Sequence, residues 1–434
     1  MLLVDLKGSL KFMPEEGNLY TSNQVQFNNP DKSVLEQVRE TVEWDEDKIE
    51  LMKSEEVPLP EYQKSLQQAG SSEVKDFKLK ETITNWPDFM YTRYHPKSIN
   101  IVKEYEHSDE FTSLDTFTAG MRLFESPLFE DNYCDYIRSY MEECNHCQGF
   151  QALFDVVDGF SGVAIKCMEY LEDEYSKSML AFPLVPPTVR SFKLADDPMS
   201  DSIRIINTAF SYAKLSEHSS LFVPLSTMGR TWRTIDEPKK FPFAQYDSTN
   251  HYHSSAILAT FLDTMSLRYR LKDGRATSSL SGFCTDLNAY NRKMAAAKLA
   301  IPFPMNEKED FIDFLDRFDG DLMEVLTPGT KVGTDRIIQS VSIRGIPTNR
   351  LKRPLESAKN QMKMAAFKCS SVSEMLQLYY QCNTYSSLSH VSAIETPMII
   401  SSPFPREFFD DRIAPNGFIK EFMNDNVKSK SNTI

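Results

Sequence analysis

The stretch between residues 133 and 185 constrains the fold most. Tyr133, Ile137, Tyr140, Met141 and Cys144 recur at spacings of three and four, which puts them on one face of a helix. Residues 150–157 follow as a mostly apolar run of strand length, and the turn Asp158-Gly159-Phe160-Ser161-Gly162 comes next. Residues 163–175 have an amphipathic helical period and end in charges; 179–185 is a second short apolar run, stopped by Pro186 and Pro187. A strand that is apolar on both faces needs cover on both, and an intervening helix supplies one layer of it. The order helix, strand, glycine turn, helix, strand therefore predicts a parallel α/β domain.

Beyond it, 254–268 predicts a long apolar helix and 286–300 a second one stopped by Pro302 and Pro304. Residues 337–345 alternate as a strand, 373–382 read as a helix with Ser373 as its N-cap, and Met398-Ile399-Ile400 reads as a short strand. Upstream, residues 31–56 carry ten acidic side chains against four basic ones, with Val34, Leu35, Val38 and Val42 keeping a partial helical period. Residues 58–84 are polar, with Pro58, Pro60 and Gly70-Ser71-Ser72. We therefore expect 28–84 to be an acidic and polar insertion, partly disordered, outside the core. The expected organisation is an α/β domain over 1–249, a central helix over 250–270, an α+β domain over 271–420 and a polar tail over 421–434.

Charge and cysteine content exclude several functions. The 434 residues hold 48 basic and 62 acidic groups, a net charge of −14, which argues against nucleic acid as a partner because phosphate binding needs a basic face. No run approaches the roughly 18 apolar residues of a membrane-spanning helix. Met1-Leu2-Leu3-Val4-Asp5 lacks the basic front and the length of a secretory signal. The cysteines number seven, an odd count spread from Cys134 to Cys382, and fit reduced thiols better than a disulfide framework. A soluble, acidic, intracellular protein is expected.

Four constellations bear on chemistry. Backbone N–H groups at 158–162, freed by small residues at a helix start, suit phosphate. Against this, Phe160 is bulky where backbone must approach a ligand, and Asp158 brings a negative charge; a tight structural turn is the competing reading. Cys144-Asn145-His146-Cys147 has CxxC spacing, but with no second CxxC a four-ligand zinc site is incomplete, and ordinary thiols are expected. His251-Tyr252-His253 has only Asp247 as a nearby carboxylate, so a surface or helix-entry role is expected. Arg344, Arg350, Lys352, Arg353, Lys359, Lys363 and Lys368 form a basic cluster, either a solvated helix face or a site for an acidic tail or anionic membrane.

Several segments resemble tubulin in the same order along the chain. Glu142-Glu143-Cys144-Asn145-His146-Cys147-Gln148-Gly149-Phe150-Gln151 is similar to the tubulin stretch ending in CLQGFQ, which leads into its glycine-rich phosphate loop. Leu2-Leu3-Val4-Asp5-Leu6 resembles the tubulin ILVDLEP strand and loop, and Asn207-Thr208-Ala209-Phe210-Ser211 resembles YNATLS. Leu287-Asn288-Ala289, Arg292-Lys293 and Ile301-Pro302-Phe303-Pro304 resemble LNADLRK and VPFP. The variant spellings resemble the Misato family of tubulin-like proteins: Trp86-Pro87-Asp88-Phe89, Tyr94-His95-Pro96-Lys97-Ser98, Asp158-Gly159-Phe160-Ser161-Gly162, His218-Ser219-Ser220-Leu221 and Arg344-Gly345-Ile346-Pro347.

The resemblance implies a tubulin-like α/β fold: a Rossmann-type, nucleotide-binding-like domain followed by an α+β intermediate domain, with the family's N-terminal strand and loop missing ahead of Met1. It places Gly159, Ser161 and Gly162 on the phosphate loop, Asp5 on an acidic loop near nucleotide metal and water, and Asn207 on a loop near the sugar. His218 falls where tubulin sets an Asn against the base. Most loop glycines are gone, and Asp273 matches the water-activating loop only loosely, so no catalytic residue and no GTPase activity are expected; GTP is the one cofactor implied. The family implies roles in mitochondrial distribution, morphology and inheritance, and in spindle microtubule organisation and chromosome segregation. It also implies as partners tubulin and microtubules, cytosolic chaperonin and prefoldin, and the mitochondrial outer surface as a peripheral site, hence a cytoplasmic and mitochondrial location. The alternatives are a GTP-binding, polymerising enzyme like tubulin and an anionic-membrane adaptor using the basic cluster.

Overall fold

The structure, a computed structural model, describes residues 1–13, 58–67, 79, 83, 85–91, 94, 98–107, 113–186, 198–229, 238–271, 279–288, 291–318, 322–330, 338–352, 364–383, 388–400 and 403–420. In chain order it contains β1 (Leu3–Lys7), α1 (Glu61–Gln67), β2 (Ile99–Glu106), α2 (Phe117–Phe124) and α3 (Pro127–Glu143). Then come β3 (Phe150–Asp155), α4 (Phe160–Tyr175), β4 (Met179–Leu184), α5 (Pro198–His218) and β5 (Leu221–Phe222). The remainder is α6 (His251–Met265), α7 (Leu267–Arg270), α8 (Leu280–Leu287), β6 (Lys298–Leu299), α9 (Phe311–Arg317) and β7 (Glu324–Val325), followed by β8 (Ile338–Arg344), α10 (Ala365–Lys368), α11 (Val372–Asn383) and β9 (Leu388–Ile394).

The chain divides into two compact units, one of residues 1–113 with 127–145, the other of 114–126 with 146–434. In the first, β1 and β2 pair in parallel from Leu3↔Ile99 to Leu6↔Val102, with an irregularity before Lys7. Of the predicted face, α3 buries Tyr133 and Ile137 and half-buries Tyr140 and Met141, while Cys144 lies past its end and is exposed; Cys134 is also buried, and Phe129 stacks on Tyr133 one turn on. The expected excursion over 28–84 lies largely outside the described residues. Its described helix α1 differs from that expectation: Tyr62 is 3% exposed, and Gln63 Nε2 donates to the carbonyls of Pro87 and Met90.

In the second unit β3, β4 and β5 form the predicted parallel sheet, in order. β3 pairs with β4 over six residues from Phe150↔Met179 to Asp155↔Leu184, and β4 with β5 through Leu180↔Leu221. Leu180, Phe182, Leu221 and Ile257 are fully buried between this sheet, α6 and α8, each side chain contributing about 2 kcal/mol of transfer free energy. A second core joins α9, β8 and α11 around Phe311, Phe314 and Leu376.

Three expectations are corrected. The helix expected over 286–300 does not form: α8 (Leu280–Leu287) ends where that helix was to begin, and the alanine-rich stretch after it is extended. Phe222 N–H donates to Lys293 O at 2.7 Å and Ala295 N–H to Phe222 O at 3.0 Å, so the end of β5 claims a segment whose local preference is helical. Ser373 does not cap α11: Ser371 Oγ accepts from Glu374 N–H, and Glu374 reaches back to Ser370 N–H at 2.7 Å. Among the described residues Met398–Ile400 has no strand partner, and the strand beside β8 is β9, in parallel register from Ile338↔Leu388 to Arg344↔Ile394. The tail over 421–434 lies outside the described residues.

Candidate functional site

The glycine turn sits where the sequence places it, between the end of β3 and the start of α4. What fills it is α2. Gly159 N–H donates to Leu114 O at 2.8 Å, and α2 then lies across the first turn of α4 with almost no side chain between the backbones. A methyl group on Gly120 would stand 1.8 Å from Gly159 O, and one on Gly162 would stand 2.0 Å from Phe117 O. On Gly159 it would meet the Leu114 side chain at 2.6 Å. Glycine is required at these positions for helix-to-helix approach, because any Cβ drives one backbone off the other.

The anion-binding capacity of the turn is used internally. Phe160 N–H donates to Asp158 Oδ1 at 2.9 Å, Ser161 N–H to Asp158 O at 3.3 Å, and Gly162 and Val163 N–H to Gly159 O at 2.9 and 3.2 Å. With Gly159, five successive N–H groups all have acceptors within the chain. Ser161, fully buried, donates its Oγ hydrogen to Asp158 O. Asp158 is the side chain at the helix start. Burial, then the neighbouring Asp155, raise its carboxyl well above the usual carboxylate range, against the lowering pull of the Phe160 N–H and Arg204; Asp115 adds to the rise. A phosphate here would add its charge to three aspartates and displace N–H groups that are already bonded.

Asn207 is a correction. It lies inside α5, not on a loop, and is 2% exposed. Its Oδ1 accepts from Phe117 N–H at 2.9 Å, capping α2, while Nδ2 donates to Asp115 O at 2.7 Å and Val157 O at 2.9 Å. Both amide hydrogens and the oxygen are therefore engaged, tying the start of α2 to the end of β3. Gly159, Gly162 and Asn207 are thus brought together at the start of α2, with Ser161 in the same turn bonded to Asp158 O. Asp5 is in the other unit. There its Oδ1 accepts from Leu6 N–H at 2.8 Å and its Oδ2 from the Trp86 indole at 2.7 Å. His218 ends α5, eleven residues and about 16 Å along the helix from Asn207. Its Nδ1 lies 2.9 Å from Glu172.

The remaining constellations have structural partners. His253 is 2% exposed; its Nδ1 accepts from Asp247 N–H at 3.1 Å and its Nε2 faces Glu407. His251 heads α6, and burial lowers its pKa. Cys144 and Cys147 are free thiols. Among the described residues no group of three or more His, Cys, Asp or Glu is placed to hold a metal ion. Of the basic cluster, Arg350 donates to the Asn306 and Glu309 carbonyls and lies over the Phe418 ring, and Lys352 donates to the carbonyls of Phe367 and Cys369. These two serve the interior and form no solvated helix face; Arg353, Lys359 and Lys363 lie outside the described residues, as does Asp273. The role of Gly120 is the residue that sequence reasoning missed. Its signal was available: glycines at 159 and 162 are three apart, so they share one helix face, and a third glycine sits mid-helix at 120.

This α/β unit, with its glycine turn between strand and helix, belongs to the tubulin-like class: the family described as Tubulin domain matches residues 77–271. The chain is 40% identical to protein misato of Drosophila melanogaster over 429 residues, 96% of this chain and 74% of that protein. It is 32% identical to protein misato homolog 1 of Homo sapiens over 443 residues, covering 94% and 73%, and 28% identical to the Danio rerio homologue, covering 97% and 74%. The chain belongs to the Misato family. Among the described residues no helix is long and apolar enough to cross a membrane.

Proposed function

We propose that this Misato-family chain is a non-catalytic, tubulin-like binding protein that organises mitochondria and spindle microtubules. The observation that carries the non-catalytic part is the closed turn: five consecutive N–H groups from Gly159 to Val163 have internal acceptors, and α2 packs directly against the turn. Phosphoryl chemistry needs a cradle of free donors, a held metal and a positioned water, and the residues expected for the cradle hold backbone instead. GTP, the cofactor the resemblance implied, is on this reading not bound at the turn.

The cellular roles rest on family membership. We assign to the chain mitochondrial distribution, morphology and inheritance, and spindle organisation with chromosome segregation. Its partners are tubulin or microtubules, cytosolic chaperonin and prefoldin, and the outer surface of mitochondria by peripheral contact. Nucleotide extracted from the purified full-length protein after gel filtration tests the first part: the expected yield is far below one guanine nucleotide per chain, and a stoichiometric yield overturns it. Depletion in cells tests the second: clustered mitochondria and microtubule-poor spindles are expected, and normal organelles and spindles contradict it.

A further inference from the structure

The sheet of the second unit does not end at β5. Phe222 forms a parallel bridge to Met294, and its N–H and C=O are bonded to Lys293 O and Ala295 N–H, so residues 293–295 lie beside β5 as a short outer strand. Successive residues of a strand turn their N–H and C=O to opposite edges. Lys293 and Ala295 turn theirs to β5, and Met294 and Ala296 turn theirs away. Among the described residues the backbone groups of Met294 and Ala296 have no hydrogen-bond partner. An open edge of this kind is a template for a further strand.

The side chains alternate as those of an outer strand do. Arg292, Met294 and Ala296 are exposed, Met294 by 45%, whereas Lys293 and Ala295 are half-buried and Ala297 is buried. Arg292 makes no hydrogen bond or ion pair among the described residues. Lys293 differs, because its Nζ donates to Glu217 O at 2.8 Å. One uncommitted cation therefore stands two residues from Met294 on the same face of the edge. Met294 also borders an open groove between α5 and β5, along which lie Tyr212 and Phe222, their ring centroids 5.7 Å apart.

We propose that the edge 292–296 is a docking site for an extended acidic peptide segment of a partner protein. The peptide adds as a strand through the backbone groups of Met294 and Ala296, with a carboxylate side chain beside Arg292 and an apolar one beside Met294. Strand addition draws affinity from the backbone and selectivity from alternate side chains. Cross-strand pairs of opposite charge and of apolar groups supply that selectivity here. This site is independent of whether the glycine turn binds nucleotide.

Fluorescence anisotropy of a pentapeptide, Asp-Thr-Val-Thr-Asp, labelled at its amino end and amidated at the other, titrated with the purified full chain, tests it. Saturable single-site binding is expected, weakening as salt rises. The version with lysine in place of aspartate binds about tenfold more weakly. The net charge of −14 would by itself favour the lysine peptide, so an acidic preference reports the site. Arg292→Glu, an exposed change, reverses that preference with melting temperature retained. Peptides N-methylated at alternate residues separate strand addition from a loose charge contact. Only one of the two phases presents its amides to the edge, so one phase loses binding about tenfold and the other keeps it. Absence of saturable binding, equal loss in both phases, or an unchanged preference in Arg292→Glu each overturns the proposal. So does a dimer of the chain that excludes the peptide, which assigns the edge to a second copy.

Discussion

At Gly120, Gly162 and Asn207 the side chain, or its absence, decides whether two backbones can meet. Gly120→Ala or Gly162→Ala forces α2 away from α4 and should cost about 2 kcal/mol or more, as overpacking does, read as a lowered urea midpoint. Asn207→Ala removes the partner of the buried Phe117 N–H and of the buried Val157 carbonyl and should cost about 3 kcal/mol. Asn207→Asp should cost more than the alanine, because it turns an acceptor toward two carbonyls. Equal stabilities for the two variants would contradict the assignment of Nδ2 as a double donor. Asp158 carries a pH signature. Its folded pKa lies above the unfolded value, so its contribution to stability is present below the unfolded pKa and is lost as pH rises through the folded one. Asp158→Asn, neutral at every pH and still able to accept from Phe160 N–H, should therefore raise the melting temperature more at pH 8 than at pH 4. A gain that is the same at both would contradict it.

Among the elements, those stabilised by their own period were legible: α3, α4 and α6, and the apolar strands β3, β4 and β8, all fall close to their predicted spans. Those decided by distant partners were not. The run Ala295-Ala296-Ala297 has strong helical preference, yet the free edge of β5 and the Thr327 hydroxyl, which accepts from Ala297 N–H at 2.8 Å, hold it extended. No local rule contains that edge. α5 escaped because its exposed side carries Ile205, Ile206 and Phe210, blurring the polar face by which a surface helix is recognised. The cap of α11 was misplaced by two residues because three serines and a glutamate crowd its start within 370–374 and only geometry selects among them. Ser371→Ala should cost about 1 kcal/mol in a chemical-denaturation measurement and Ser373→Ala much less; the reverse order would return the cap to Ser373.

For the whole molecule, family motif and local chemistry pulled apart, and the structure explains how. The spacing of Gly159 and Gly162 reads equally as a phosphate cradle and as a helix-packing face, because both need backbone free of Cβ. The sequence carried the tie-breaker in Gly120 and in the carboxylate of Asp158, which takes the first N–H of α4. A tubulin-like sheet and glycine turn are present, with the turn's backbone bonded within itself and to Leu114, Asn207 bonded at the start of α2 and, in the other unit, Asp5 bonded to Trp86.

Hydrogen–deuterium exchange at the amides of Gly159 to Val163, with and without magnesium and GTP, tests the closed turn directly. The account predicts slow exchange in both conditions and no change on adding nucleotide. Fast exchange that slows when GTP is added would show that the turn is open and that it receives phosphate.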